Sequence, residues 1–178
     1  NGFYCQSRER IISVGSDNAG SAAWANSVSV EDWDILRANF PADWSKVAVY
    51  GEWAGQGIQK NVAIAMLPKA FYIFAARLIS ESGETEEWLD TRNWIMPAGV
   101  YNIYNFQTFK IDINFESPEY AIAEINKWVL EVEAECPVGK ALGVSGIGEG
   151  LVMRSVTKGY EGSRYWFKAK GDKHVNSK

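Results

Sequence analysis

The chain has 178 residues, 47% of them hydrophobic and 22% charged, with a formal net charge of −4. These values are ordinary for a globular domain with one substantial core. Charged residues interrupt every apolar stretch, and the first residues lack the pattern of a signal peptide, which argues against a membrane span and a secretory leader. Two cysteines and one histidine argue against a structural zinc, and we expect reduced cysteines in a cytoplasmic setting.

Charge is distributed unevenly along the sequence. The net acidity argues against a polyanionic partner, yet the segment from Met153 onward is basic, with only Glu161 and Asp172 as acids. Its cations are Arg154, Lys158, Arg164, Lys168, Lys170, Lys173 and Lys178. Such a segment is either a solvated face or a surface for nucleic acid, and the charges alone do not decide between them.

The first half of the sequence predicts short strands at residues 2–6 and 10–14 and a loop at residues 16–21. Ser29, with Asp32 three residues later, predicts the capped start of a helix that Pro41 stops. The apolar face of this helix would be formed by Val30, Trp33, Leu36 and Phe40. Apolar, β-branched runs predict buried strands at residues 46–53 and 70–79, with a partner strand near Trp88.

The second half begins with strand-like residues at 101–115. Ser117-Pro118-Glu119 predicts a helix start with the proline at the first helical position, and the apolar periodicity continues to Glu135, before Pro137. Two final strands are predicted at residues 150–155 and 165–169, with a turn through residues 159–163. The elements together predict a single α+β domain with mostly antiparallel strands.

Four short segments carry side chains suited to nucleotide transfer. They cover residues 50–61, 71–74, 149–154 and 167–171. Lys168 and Lys170, two apart on a strand, would aim two cations at one phosphoryl group, and Glu52 and Glu149 offer the hard oxygen ligands that magnesium prefers. Phe74 could cover a base, with Phe71 or Tyr72 turned the other way. Each feature alone is also compatible with an ordinary surface acid, core aromatic, turn or solvated lysine.

In combination, the four segments resemble RNA ligases of the RNA ligase 2 family, a branch of the lysine-adenylylating nucleotidyltransferases. Glu52, within Gly-Glu-Trp-Ala-Gly-Gln-Gly-Ile-Gln-Lys-Asn-Val, is similar to the family's motif III, and Phe74 takes the place of the motif IIIa aromatic. Glu149 is similar to the motif IV glutamate, and Lys168 and Lys170 to the motif V lysines. The resemblance implies a nucleotidyltransferase (ATP-grasp-like) domain over residues 1–178, with mostly antiparallel sheets flanked by helices.

The resemblance also implies an ATP-dependent RNA ligase that joins 5′-phosphate and 3′-hydroxyl ends through lysyl-AMP and RNA-adenylate. ATP and Mg²⁺ would be its cofactors, and nicked duplexes or broken RNA its partners. The implied catalytic residues are Lys168, Lys170, Glu149 and Glu52, with Glu149 holding the metal. The same four residues would bind the nucleotide together with Phe74, Asn1 and Arg8, and Arg10 is an alternative to Arg8.

The family's nucleophilic Lys-X-His/Asp-Gly motif does not occur in these 178 residues. We expect it just upstream of Asn1, and we expect the RNA-binding C-terminal domain to lie outside the sequence as well. A non-catalytic nucleotide- or RNA-binding module, a DNA ligase and a capping guanylyltransferase remain alternatives. His174 belongs either to an extended motif V or to a structural contact. A monomeric, phage-encoded repair enzyme in the host cytoplasm, without a membrane partner, is the expected setting.

Overall fold

A computed structural model describes residues 4–7, 9–17, 19–42, 45–82 and 86–175, with the backbone alone at residues 86, 174 and 175. In this part of the chain the α-helices are α1 (Ser21–Ser27), α2 (Val30–Arg37), α3 (Glu119–Ala134), α4 (Pro137–Ala141) and α5 (Asp172–Val175). The strands are β1 (Lys46–Ala54), β2 (Ala70–Ile79), β3 (Glu86–Leu89), β4 (Val100–Asn102), β5 (Leu151–Met153) and β6 (Phe167–Ala169). No described helix is both long and apolar enough to cross a bilayer.

The α+β class with antiparallel sheets and flanking helices is confirmed. Strand β2 is hydrogen-bonded to β1 and β3 in a four-stranded sheet, and β4 also pairs with β2. The β2–β3 and β5–β6 pairs are antiparallel, whereas β4 runs parallel to β2. The chain forms two compact units, and its assignment to a single domain stays a prediction.

The first unit takes its described residues from 1–53 and 70–102. Its core is centred on Leu36 of α2, Ile73 of β2 and Val100 of β4, which are 3%, 0% and 4% exposed. The partly buried side chains packed against these three are Trp24, Trp33, Phe40, Val49, Phe71, Trp94 and Met96. This unit therefore consists of the larger sheet with α1 and α2, joined by an aromatic-rich core.

Helix α2 begins as the sequence predicts. The Ser29 hydroxyl accepts a hydrogen bond from the Asp32 backbone N–H at 3.0 Å and satisfies one of the amides left open at a helix start. The helix ends at Arg37, so Phe40 packs on the core from beyond its last turn.

Helix α1 was not predicted, and its start depends on a side chain outside the helix. Both carboxylate oxygens of Asp17 accept hydrogen bonds: Oδ1 from the Ala19 and Gly20 amides, and Oδ2 from the Ser21 hydroxyl and the Ala22 amide. Partial burial alone would raise the pKa of Asp17, but these four hydrogen bonds outweigh it and hold the pKa below its ordinary value.

The second unit takes its described residues from 54–69 and 103–178. Helix α3 buries Ala121, Val129 and Val132, and the Trp128 ring stacks on Phe109 with centroids 4.8 Å apart. The Ala63 amide donates to the Ile147 carbonyl at 2.9 Å and ties the early segment to the late one.

Several predicted boundaries are wrong. At the N-terminal hairpin, the described residues contain only an isolated antiparallel bridge between Gln6 and Ile11, and residues 14–16 form a 3-10 helix. Residues 103–105 are also a 3-10 helix, and residues 106–114 lie outside any strand. Pro137 stops α3 but also opens α4, since a proline needs no hydrogen-bond partner at a helix start.

Candidate functional site

The first unit holds Glu52 and Phe74 on the neighbouring strands β1 and β2. Glu52 is exposed and Phe74 is half-buried. A Cβ on Gly51 would lie 2.6 Å from the Phe71 ring, so position 51 faces the same side of the sheet as Phe71, the side of the aromatic core. Successive side chains of a strand alternate between faces, so Glu52 lies on the opposite side.

Phe74 shares that opposite side with Glu52. Phe71 and Ile73 belong to the core, so alternation along β2 turns Tyr72 and Phe74 to the other face. Tyr72 is buried there and stacks on Tyr101 with ring centroids 5.2 Å apart. The structure thus places a carboxylate and a half-buried aromatic ring on the same face of the sheet, and Phe71 is the aromatic turned the other way.

The second unit gathers Glu149, Lys168 and Lys170 on the β5–β6 ribbon. Lys168 pairs with Val152, and the same register, continued two residues past Leu151 and Ala169, places Glu149 opposite Gly171. Both lysines are exposed, whereas Glu149 is half-buried. Because Lys168 and Lys170 are two residues apart along an extended strand, their ammonium groups project from the same side.

Gly150 allows the backbones at the ends of the two strands to come close together. Its φ of 131° lies in a region that favours glycine, and a Cβ there would overlap the Ala169 carbonyl oxygen and lie 3.0 Å from the Lys170 Cα. The Glu149-Gly150 pair therefore permits backbone contact between the two strand ends, which a larger residue would prevent.

Glu133 is a buried site neighbour that the sequence analysis missed. Only 5% of this α3 residue is exposed, and its Oε1 accepts a hydrogen bond from the Lys173 backbone N–H at 2.6 Å. Gly171 packs directly against the carboxylate, since a Cβ on it would lie 2.5 Å from the carboxyl carbon. An acid four residues after the buried Val129, on the apolar face of the helix, was the signal available in the sequence.

The tail of the motif III segment forms a tight loop in the second unit. The Gly55 amide donates to Gln59 Oε1 at 2.9 Å, and the Gln56 amide donates to the Leu67 carbonyl at 2.9 Å. A Cβ on Gly55, whose φ is 136°, would lie 2.7 Å from the Pro68 carbonyl oxygen. Gln59 thus has a structural contact within the loop, and Lys60 beside it is exposed.

Three of the candidate side chains lie outside the described part of the structure. Asn1 and Arg8 lie outside the described residues, and only the backbone of His174 is described, within α5. Arg10, the alternative to Arg8, donates from Nη2 to the Ser16 carbonyl at 3.2 Å and so has a contact within the N-terminal segment.

The described side chains show whether a magnesium ion bound to nucleotide phosphates would fit this site. No group of three or more His, Cys, Asp or Glu residues within the described part could hold a metal ion. Magnesium is nevertheless commonly held by one or two carboxylates together with substrate phosphates and water. Glu149, on the same two-stranded ribbon as two exposed lysines, fits that mode, in which the phosphates supply most of the ligands.

A cavity of about 450 Å³ lies elsewhere, in the first unit. Tyr4, Cys5, Ile11, Ala22 and Trp33 are among its lining residues, which do not include the described site candidates. Burial, with a smaller contribution from the Asp17 charge, raises the pKa of the Cys5 thiol, so this cysteine has little thiolate character.

Comparison with known proteins identifies the family. The family model for RNA ligase matches residues 1–170, which include every site candidate except His174. No curated protein and no solved structure gives a significant match to the chain. The match covers almost the whole sequence, and the chain therefore belongs to the RNA ligase family.

Proposed function

We propose that this chain is the adenylylation part of an ATP-dependent RNA ligase of the RNA ligase 2 type. The family match supports ligation of RNA in general. The observation that carries the finer assignment is the β5–β6 ribbon, where Lys168 and Lys170 project from one strand and Glu149 lies just before the strand that pairs with it. Two cations and a carboxylate on one two-stranded ribbon suit a nucleoside triphosphate and its metal ion better than they suit a bare RNA backbone.

In the proposed reaction, a lysine outside these residues attacks the α-phosphate of ATP. A nitrogen–phosphorus bond forms, and pyrophosphate leaves with the electrons of the broken oxygen–phosphorus bond. The AMP then passes to an RNA 5′-phosphate, and a 3′-hydroxyl displaces it to seal the strand. Lys168 and Lys170 stabilise the negative charge that the phosphoryl oxygens carry during transfer.

The other residues bind and orient. Phe74 stacks on the adenine, and Glu52, on the same side of its sheet, accepts hydrogen bonds from the ribose or from the strand end. Glu149 holds the metal, which when bound neutralises phosphate charge. Asn1 and Arg8 complete the proposed contacts to the nucleotide and phosphates.

Covalent labelling tests this proposal. The longest natural form of the protein is incubated with magnesium and ATP labelled at the α-phosphate, with labelled GTP in parallel, and is then denatured. We expect label from ATP alone, located by peptide mapping just before Asn1. Label from GTP would favour a capping guanylyltransferase, and a folded protein without label from either nucleotide would favour the non-catalytic module.

Three variants test the assigned residues. Lys168→Ala and Glu149→Ala should each abolish labelling, because each removes a charge at the reacting phosphate. Lys127→Ala is the matched control, since this α3 lysine is 61% exposed and its only described ion pair is with Glu124 at 3.7 Å. Near-normal labelling of either site variant would refute its role. Sealing of RNA nicks but not of DNA nicks would exclude the DNA ligase alternative.

A further inference from the structure

The connection between β5 and β6, residues 154–166, is long and ordered by its own hydrogen bonds. The Tyr160 amide donates to the Thr157 carbonyl at 2.9 Å, and the Trp166 indole N–H donates to the Glu161 carbonyl at 2.8 Å. Residues 163–165 add a short 3-10 helix. Long ordered connections at a protein surface are usually functional. We call residues 154–166 the β5–β6 loop.

The β5–β6 loop presents an aromatic ring to solvent. Tyr160 is 53% exposed, and its ring centroid lies 5.2 Å from that of Tyr165 at an interplanar angle of 59°. The Arg164 guanidinium carbon lies 4.7 Å from the centroid of the same Tyr165 ring. Tyr165 therefore supports an exposed ring and a cation together, and this arrangement limits the entropy that Tyr160 loses when it binds a ligand.

The charge around this ring is positive, although the whole chain has a net charge of −4. Lys158 and Arg164 of the loop are both exposed and flank Tyr160 in sequence. The only acid of the loop, Glu161, accepts a hydrogen bond from the Gly159 amide at 2.6 Å, so its carboxylate helps to hold the turn. The loop thus combines an exposed aromatic ring with two exposed cations.

We propose that the β5–β6 loop binds the unpaired end of the RNA substrate. A base stacks on Tyr160, and Lys158 and Arg164 contact the phosphates on either side of it. The combination of an aromatic platform and nearby cations is the usual means of holding single-stranded nucleic acid, and only an unpaired base offers its face for stacking. The inference rests on the proposed function, since the loop and Lys168 belong to one hairpin and the RNA end would be held next to the strand that acts on phosphate.

RNA affinity tests the stacking contact. A short, unstructured RNA with a 5′-phosphate and a fluorescent label is titrated with the protein, and its anisotropy gives Kd. Tyr160→Ala should weaken binding about ten-fold, the loss typical of one stacked base, whereas Tyr160→Phe keeps the ring and should bind within about two-fold of the unmodified protein. The matched control is Tyr120→Ala, because Tyr120 is 70% exposed but lies on α3. It should leave Kd unchanged.

The salt dependence of Kd tests the phosphate contacts. Lys158→Ala and Arg164→Ala should each reduce the slope of log Kd against log salt by about 0.7, the value for one phosphate contact on a single strand. Lys127→Ala should not change the slope. Unchanged affinity of Tyr160→Ala, an equal loss in Tyr120→Ala, or no RNA binding by the unmodified protein would overturn the proposal.

Covalent labelling with ATP separates this inference from the proposed function. The four variants at Lys158, Tyr160 and Arg164 should be labelled as fully as the unmodified protein, because none of these side chains is assigned to the nucleotide. If the unmodified protein is labelled and seals RNA while Tyr160→Ala binds RNA normally, the loop proposal fails and the ligase stands. If the unmodified protein is not labelled but Tyr160→Ala still loses RNA affinity, the ligase reaction fails and the RNA contact stands.

Discussion

Replacement of Gly150 by alanine should disrupt the β5–β6 ribbon more than any other single methyl group added there. Two effects combine at this position. The backbone has a φ of 131°, which side chains rarely adopt, and the new Cβ would overlap the Ala169 carbonyl oxygen. The overlap cannot be relieved by a small movement, because the atoms in the way belong to the backbone of the facing strand and not to the flexible end of a side chain.

The two costs can be separated. A residue with a Cβ held in such a sparsely populated conformation costs about 1–3 kcal/mol. Overpacking against backbone adds about 1–3 kcal/mol, because β5 and β6 must separate to relieve it. The expected loss is therefore about 2–6 kcal/mol, a large fraction of the roughly 5–15 kcal/mol that stabilises a typical domain.

Two other glycines of the same hairpin provide controls. Gly159 has a φ of 87° but no atom within 4 Å of its added Cβ, so Gly159→Ala carries the conformational cost alone, about 1–2 kcal/mol. Gly162 has a φ of −61° and open space around its added Cβ, so Gly162→Ala should not reduce stability and can increase it by up to about 1 kcal/mol. Urea unfolding gives the three free energies if the slopes agree. A Gly150→Ala protein no less stable than Gly159→Ala would refute the argument from close backbone contact.

Three further predictions concern side chains that hold helix starts or the buried carboxylate. Asp17→Asn should lower the free energy of unfolding at neutral pH. Because the pKa of Asp17 in the folded protein lies below the ordinary 3.8, the stability difference between the two proteins should shrink as pH falls through that folded pKa. A stability difference that does not depend on pH would contradict this. Gly171→Ala should cost about 1–3 kcal/mol in urea unfolding by pushing Glu133 off the Lys173 amide, and unchanged stability would exclude that contact as a constraint. Ser29→Ala should lower the midpoint of thermal unfolding through the loss of about 0.5–2 kcal/mol, whereas Ser27→Ala, at the last residue of α1, serves as its control.

The sequence predicted the elements whose pattern is long and continuous. Strand β2 has the bounds predicted for it, and β1 differs by one residue, because ten or so consecutive apolar and β-branched residues leave little choice of state. The start of α2 was predicted for a local reason as well, since its capping side chain and the amide it satisfies are three residues apart.

The wrong predictions depend on contacts with residues outside the element concerned. Residues 106–114 contain strand-forming side chains, but the Phe109 ring packs on Trp128 of α3 instead of joining a sheet. Helix α1 has no clear polar and apolar alternation, and the Ser21 hydroxyl and the Ala22 amide at its start donate to Asp17, four residues before it begins. Secondary-structure propensity alone predicts neither the contact of Phe109 with Trp128 nor that of α1 with Asp17.

The candidate site shows the same division. The spacing of Lys168 and Lys170 predicts that they project from one side of a strand, and the pairing of β5 with β6 shows that Glu149 belongs to the same ribbon. The sequence could not show that Glu133 is buried against the segment that follows these lysines. Its partner is the backbone amide of Lys173, and almost every residue type has such an amide, so the sequence does not identify the partner.

The path of the chain imposes an order on folding. Residues 54–69 belong to the second unit, although they connect two strands of the first, and Ala63 donates to a carbonyl that comes much later, at Ile147. A nascent chain that has emerged only as far as residue 102 contains β1, β2, β3 and β4, but the partner of Ala63 has not yet been synthesised. The larger sheet can therefore form early, whereas the hydrogen bond from Ala63 to Ile147 can form only when the last third of the protein is present.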